Sequence, residues 1–217
     1  MQEERKTEQY LRFVAGGSAT LFMILTIFLA LMKLTLSVSH FLWGVPVIAV
    51  SLLDIFFLTR SLIRRPKNID TRVSSLLIGM GTTFGFSVIV MFFSTIHAGG
   101  GLPREVHLLG VSLSLLPYPF VIWSLFCLGN CLTVVPEAHA VVAHGPYRYS
   151  RHPLYVCYMI WAMADVLMFP SWPMLLAAGS QIICLMIRLR REEALLLQTF
   201  PEYSYYYQRT GLVGNWL

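Results

Sequence analysis

An all-α, polytopic integral membrane protein with about six hydrophobic helical segments is the fold class this sequence predicts. Of its 217 residues, 56% are hydrophobic and only 12% are charged, against about 25% charged in an ordinary soluble domain. Mean hydropathy is +0.65. The apolar residues also fall in long unbroken runs. In a bilayer only helices or closed barrels satisfy their own backbone, and runs near 20 residues suit helices.

The elements follow in order. The first ten residues, MQEERKTEQY, are polar and of mixed charge. No small-residue cleavage site follows a short apolar core, so the first run is expected to stay in the mature chain. Runs 13–32, 41–59, 73–96 and 106–128 can each span a bilayer. Gly81 and Gly85 lie inside the third run. A dinucleotide fingerprint needs a strand before it, so their spacing is read as close helix–helix packing. Pro117 and Pro119 predict a kink in the fourth run. Runs 154–169 and 172–187 are shorter and flank PSWP, so they form a helical hairpin of marginal apolar length. An amphipathic helix is expected over 188–203, with Arg188 and Glu192 on one face. The chain thus divides into 1–128, about four spans, and 129–217, which holds a loop, the hairpin and a C-terminal helix.

Basic residues set the expected orientation. With the N-terminus in the cytoplasm and six spans, every Lys and Arg except Lys33 and Arg104 lies inside. Both termini are therefore expected to be cytoplasmic, in a bacterial inner membrane or an endomembrane. The net charge of +5 follows from this bias and from attraction to anionic membrane lipids; it does not call for nucleic acid. Cys127, Cys131, Cys157 and Cys184 sit in or beside apolar runs and read as packing residues. No ligand set for a metal accompanies them. Asp54 and Asp165 fall within apolar runs. Asp54 is expected to reach toward Arg60 or the interface, and structural pairing is the favoured role for both.

The linker 129–153, GNCLTVVPEAHAVVAHGPYRYSRHP, concentrates hydrogen-bonding chemistry. Long connections of this kind are commonly functional. Headgroup anchoring explains its Arg and Tyr but not His139, His144 and His152. Gly145 and His152 each precede a proline, which bars them from the helical region and predicts extended backbone. A ligand site is the favoured reading, on the same membrane face as the RLRREE segment.

GPYRYSRHPLY, then a hydrophobic hairpin, then RxxxEE and FPEY, resembles the isoprenylcysteine carboxyl methyltransferase family and the related membrane phospholipid methyltransferases, over roughly residues 128–212. The resemblance implies S-adenosyl-L-methionine as methyl donor, held at the cytoplasmic face without a Rossmann domain. It assigns cofactor contacts to His139, Ala140, Val141, Val142, Tyr147, His152, Pro153, Leu154, Tyr155 and Glu192, and it turns Arg188 to the substrate. Leu132 stands where relatives can carry a polar contact, and FPEY is shorter than the FGEEY common in relatives.

The chemistry is compatible. Aromatic faces such as Tyr147 and Tyr155 attract a sulfonium. A carboxylate acceptor is ionised at neutral pH and needs no base; Arg188 would hold it in a bidentate clamp. An amine acceptor needs a base, for which Glu193 is the candidate. A lipidic or prenylcysteine-like carboxylate is the favoured acceptor, with a phospholipid amine as alternative. A sterol-type, NADPH-dependent reductase also shares an RHP motif, though many such enzymes carry Asn where this chain has Leu154. A transporter would place its polar site at mid-membrane.

Overall fold

The computed structural model describes residues 2–34, 38–96 and 103–212. Helix α1 is Gln2–Leu34 and α2 is Val38–Ile63. The third span is α3, Val73–Met80, a π-helical turn at Gly81–Gly85, and α4, Phe86–Ile96. The fourth is α5, Arg104–Leu115, and α6, Pro117–Leu128. Helices α7, Pro153–Met168, and α8, Trp172–Thr199, form the hairpin, and α9 is Tyr203–Arg209. Among the described residues, five helical segments are long and apolar enough to cross a membrane, and α7 is a shorter sixth. The chain is an all-α polytopic membrane protein.

Local chemistry explains the breaks. The fourth span is interrupted at Leu116, because Pro117 and Pro119 cannot donate to the helix ladder. Trp161 Nε1 of α7 donates to the Ser114 carbonyl at 2.8 Å beside the break. The Ser171 hydroxyl caps α8 by accepting from the Met174 N–H, with Pro173 in the first turn.

Three expectations are corrected. The amphipathic stretch from 188 onward is not a separate helix but continues α8, which has 28 residues. No Gly or Pro stands between Gly179 and Pro201 to break it where the charged residues begin, so one rod of about 42 Å forms. Gly81 and Gly85 do not mark a tight helix contact, since a Cβ on either would meet nothing within 4 Å. They belong to the π turn. Gly79 makes the close approach instead, because a Cβ there would lie 2.4 Å from the Val134 carbonyl oxygen. Finally, Asp54 lies at mid-helix rather than at the interface, and Arg60 packs over Phe56 with 5.4 Å to the ring centre.

The bundle brings the polar connections to one end. Asn68–Ile69 pairs antiparallel with Glu137–Ala138 (β1 and β2). Arg12 of α1 donates to Glu137 at 2.9 Å and to the carbonyls of Ser61 and Arg64. These contacts tie the first two helices to the 129–153 linker on the face where α8 ends. The HGPYRYSRHPLY and RLRREE segments therefore share one face.

Candidate active site

A cavity of about 890 Å3 runs through the bundle. Its walls come from α1, α2, the π turn, α4, α5, α6, α7 and α8, and its polar end from the 129–153 linker and α9.

The linker is ordered by anchors at several points. Glu137 accepts from Arg12 and also meets His139 Nε2 at 2.8 Å, with both side chains almost fully buried. Beyond that clamp the chain passes Ala140, Val141 and Val142 along the cavity. Among the described residues, Val141 and Val142 have no hydrogen-bond partner for their backbone groups. Half-buried backbone of this kind seeks a partner, and the cavity is where one would come from. A 3-10 turn at Gly145–Arg148 then buries Pro146 and Tyr147. Gly145 has φ +60°, and a Cβ there would lie 2.4 Å from Cys127 Sγ. The extended backbone expected at this position is therefore corrected to the left-handed region, which glycine enters freely. His152, at φ −134° and ψ 62°, is kept out of the helical region by its proline neighbour but is not fully extended as expected, and it holds the N-cap position of α7 without a side-chain bond.

Helix α8 supplies the charged groups. Glu192 Oε1 accepts from the Tyr155 hydroxyl at 2.5 Å and from Arg188 Nε at 3.0 Å. Arg188 also donates through Nη2 to the Thr133 carbonyl at 2.7 Å and through Nη1 to the Thr82 hydroxyl at 3.4 Å. Its guanidinium lies 5.6 Å from the Tyr155 ring centre, and His152 stacks on that ring at 5.2 Å. Arg188 is buried yet borders the cavity. It joins three elements: α8, the π turn and the linker.

A C-terminal latch closes the polar end. Arg151 donates to Glu193 at 2.7 Å, to the Tyr207 carbonyl at 2.8 Å and to the Thr210 carbonyl. The Ser150 hydroxyl donates to the Leu212 carbonyl, and the Tyr206 hydroxyl donates to the Tyr147 carbonyl at 2.5 Å. Burial raises the phenols of Tyr147 and Tyr203 above the ordinary tyrosine range. Tyr206 is pushed up to about 12 for the same reason, despite the opposing Arg151 charge. These hydroxyls stay neutral donors at physiological pH.

The structure gathers most of the expected site. Ala140, Val141, Val142, Tyr147, His152, Leu154, Tyr155, Arg188 and Glu192 all border the cavity. His139, Pro153 and Glu193 do not. His139 is held against Glu137 with its ring fully buried. Pro153 opens α7 at its first position. Glu193 is engaged by Arg151, and His152 Nε2 lies 3.3 Å away without hydrogen-bond alignment. Its carboxylate is thus engaged in the latch and lies off the cavity wall. Leu132 borders the cavity, as do Thr82, Tyr203 and Tyr206, which sequence reasoning had not selected. The four tyrosines in YSYYYQR were a visible signal, but nothing in their spacing showed that two would turn back onto the linker.

No curated protein matches the chain. The model of the phospholipid methyltransferase family matches residues 106–203. That stretch contains nearly all of the fourth span, the linker, both hairpin helices and the charged residues that border the cavity's polar end. The match covers a little less than half of the chain, and over residues 106–203 the chain is similar to phospholipid methyltransferases.

Proposed function

We propose that the protein methylates the carboxylate of a lipidic or prenylcysteine-like acceptor, with S-adenosyl-L-methionine as donor. The donor would supply an electrophilic methyl group on a cationic sulfur. The residues present fit it. Val141 and Val142 offer unpaired backbone groups beside the cavity, suited to an adenine edge. Tyr147 and Tyr155 border the same wall, and aromatic faces attract a sulfonium. Leu154 and His152 complete this wall, and Glu192 presents its second carboxylate oxygen. Neither His139 nor Pro153 touches the cavity; their part is to hold the linker and start α7.

The observation that carries the reading is the junction of Arg188, Glu192 and Tyr155 at the cavity wall. Arg188 uses one N–H on each of its three nitrogens for protein partners. A guanidinium carries five N–H groups, so two remain for an acceptor carboxylate. A carboxylate is the nucleophile without proton transfer, which suits a site where Glu193 is tied to Arg151. The acceptor's apolar body fits the membrane-embedded remainder of the cavity. We place the catalytic region at 129–217, with 1–128 supplying cavity wall, and both termini on the cytoplasmic side, supported by the clustering of basic residues at the site's end of the bundle. A second reading, methylation of a lipid amine, is favoured by the family's own description.

Incubating purified protein with methyl-labelled donor and total lipid extract tests both. Carboxyl methyl esters release volatile labelled methanol in alkali, whereas N-methyl groups do not. Alkali-labile label is expected; alkali-stable label would establish the amine reading instead. Arg188→Ala is expected to lower kcat at least about 100-fold, with Arg188→Lys intermediate because it keeps the charge and loses the fork. Unchanged turnover in Arg188→Ala would remove the clamp.

A further inference from the structure

The membrane-embedded part of the cavity is not a plain hydrocarbon tunnel. Tyr155, Tyr158 and Trp161 follow one face of α7, with ring centres 6.2 Å and then 5.8 Å apart. Tyr118 of α6 continues the row at 5.1 Å from Trp161. Asp54 lies within electrostatic reach of the Tyr158 hydroxyl, and Asp165 within reach of Tyr118. All four of these polar side chains border the cavity. Among the described residues, neither carboxyl group and neither hydroxyl has a hydrogen-bond or ion-pair partner.

Unpartnered polar groups inside a membrane are costly and mark functional positions. Four on the walls of one cavity, none of them hydrogen-bonded to another, would find partners in the cavity's occupant. We propose that the level of Asp54 and Tyr158 is a subsite for a neutral hydrogen-bonding group, a hydroxyl or an amide, carried on the acceptor's chain. Phenol and carboxyl groups between them both donate and accept, as such a group requires. An anion would meet two carboxyl groups. A cation would meet Arg188, which borders the same cavity and lies within reach of Tyr158. Tyr158 is one helical turn deeper than Tyr155, about 4.5 Å along the axis. The second polar group therefore sits a few bonds below the methylated end. Asp54 is the specificity-determining residue of this subsite. The inference rests on reading the cavity as the acceptor site.

The test is equilibrium binding to the full chain in lipid nanodiscs, by displacement of a fluorescent fatty acid. Three competitors of equal length are compared: a saturated fatty acid, the same acid with a hydroxyl several carbons from the carboxylate, and its amine counterpart. The hydroxylated acid is expected to bind at least about tenfold more tightly than the saturated one. Asp54→Leu should bring the two within about twofold, and Asp54→Asn should keep most of the preference. Affinity for S-adenosylhomocysteine should stay unchanged in both variants. Equal binding of the hydroxylated and saturated acids to the wild type, a preference surviving in Asp54→Leu, or no displacement by any competitor overturns the proposal. Preference for the amine overturns it in favour of a cation site. Methyl transfer to the same acids is measured separately. Its absence alongside the binding preference would count against the methylation reading while leaving the subsite standing.

Discussion

Gly145 meets two demands at a single Cα. Its φ of +60° is strained for any L side chain, and Cys127 Sγ occupies the space a Cβ would take. Gly145→Ala is expected to destabilise the protein by at least about 2 kcal/mol, the left-handed penalty alone being about 1–2 kcal/mol. Thermal unfolding followed by tryptophan fluorescence measures this. Adding Cys127→Ala should recover the steric part and leave the dihedral part, so full recovery would show that φ is unimportant. The HGPYRYSRHPLY motif was legible residue by residue because prolines and aromatics in a greasy chain stand out. Glu137 was not. Its importance comes from Arg12 and His139, and the sequence separation of 125 positions between Arg12 and Glu137 gives a single sequence no way to pair them. Nor does anything in RREE tell which glutamate borders the cavity and which meets Arg151.

At the scale of elements, the π turn shows how a helix defect becomes part of the site. Widening the helix at Gly81–Gly85 leaves the Thr82 carbonyl available, and Gln181 Nε2 of α8 donates to it at 2.9 Å. Such bulges recur at functional positions. Here the turn also aims the Thr82 hydroxyl at Arg188. Gln181→Leu should cost about 1–3 kcal/mol by leaving the carbonyl unpaired in a dry setting. It should also raise KM for acceptor, because Arg188 loses a rigid neighbour. If KM and thermal midpoint both stay at wild-type values, the turn is only packing. Sequence periodicity found the helices because apolar runs persist over whole spans. It divided α8 where charge begins, since a change from apolar to amphipathic surface looks like an end. Backbone continuity depends on Gly and Pro, and none stands there.

For the molecule as a whole, charge asymmetry and the linker's composition were enough to put one polar end on one face of a membrane protein. The cavity was not legible. It arises where six helical segments fail to fill the space between them, a property of their mutual packing that no local pattern encodes. Asp54 illustrates the gap. By sequence it sits near the edge of a run, whereas the folded helix extends past it to Ile63 and leaves it deep among apolar neighbours. The linker and α9 close one end and the aromatic row extends away from it. On the proposed reading, methyl transfer at the polar end and acceptor recognition among the helices share one continuous volume.

The unbroken α8 rod turns this shared volume into a matter of register. Gln181, Leu185, Arg188, Glu192 and Leu195 border the cavity from one stripe of a single helix. One alanine inserted between Leu185 and Arg188 would rotate everything downstream by about 100°. Arg188 and Glu192 would swing off the wall while Gln181 kept its place. Seven inserted residues would nearly restore the facing but lengthen the interval by about 10 Å. The first variant should insert into membranes yet lose methyl transfer. The second should recover donor binding while favouring longer acceptors, so that the helix behaves as a ruler whose graduations are set by its own pitch.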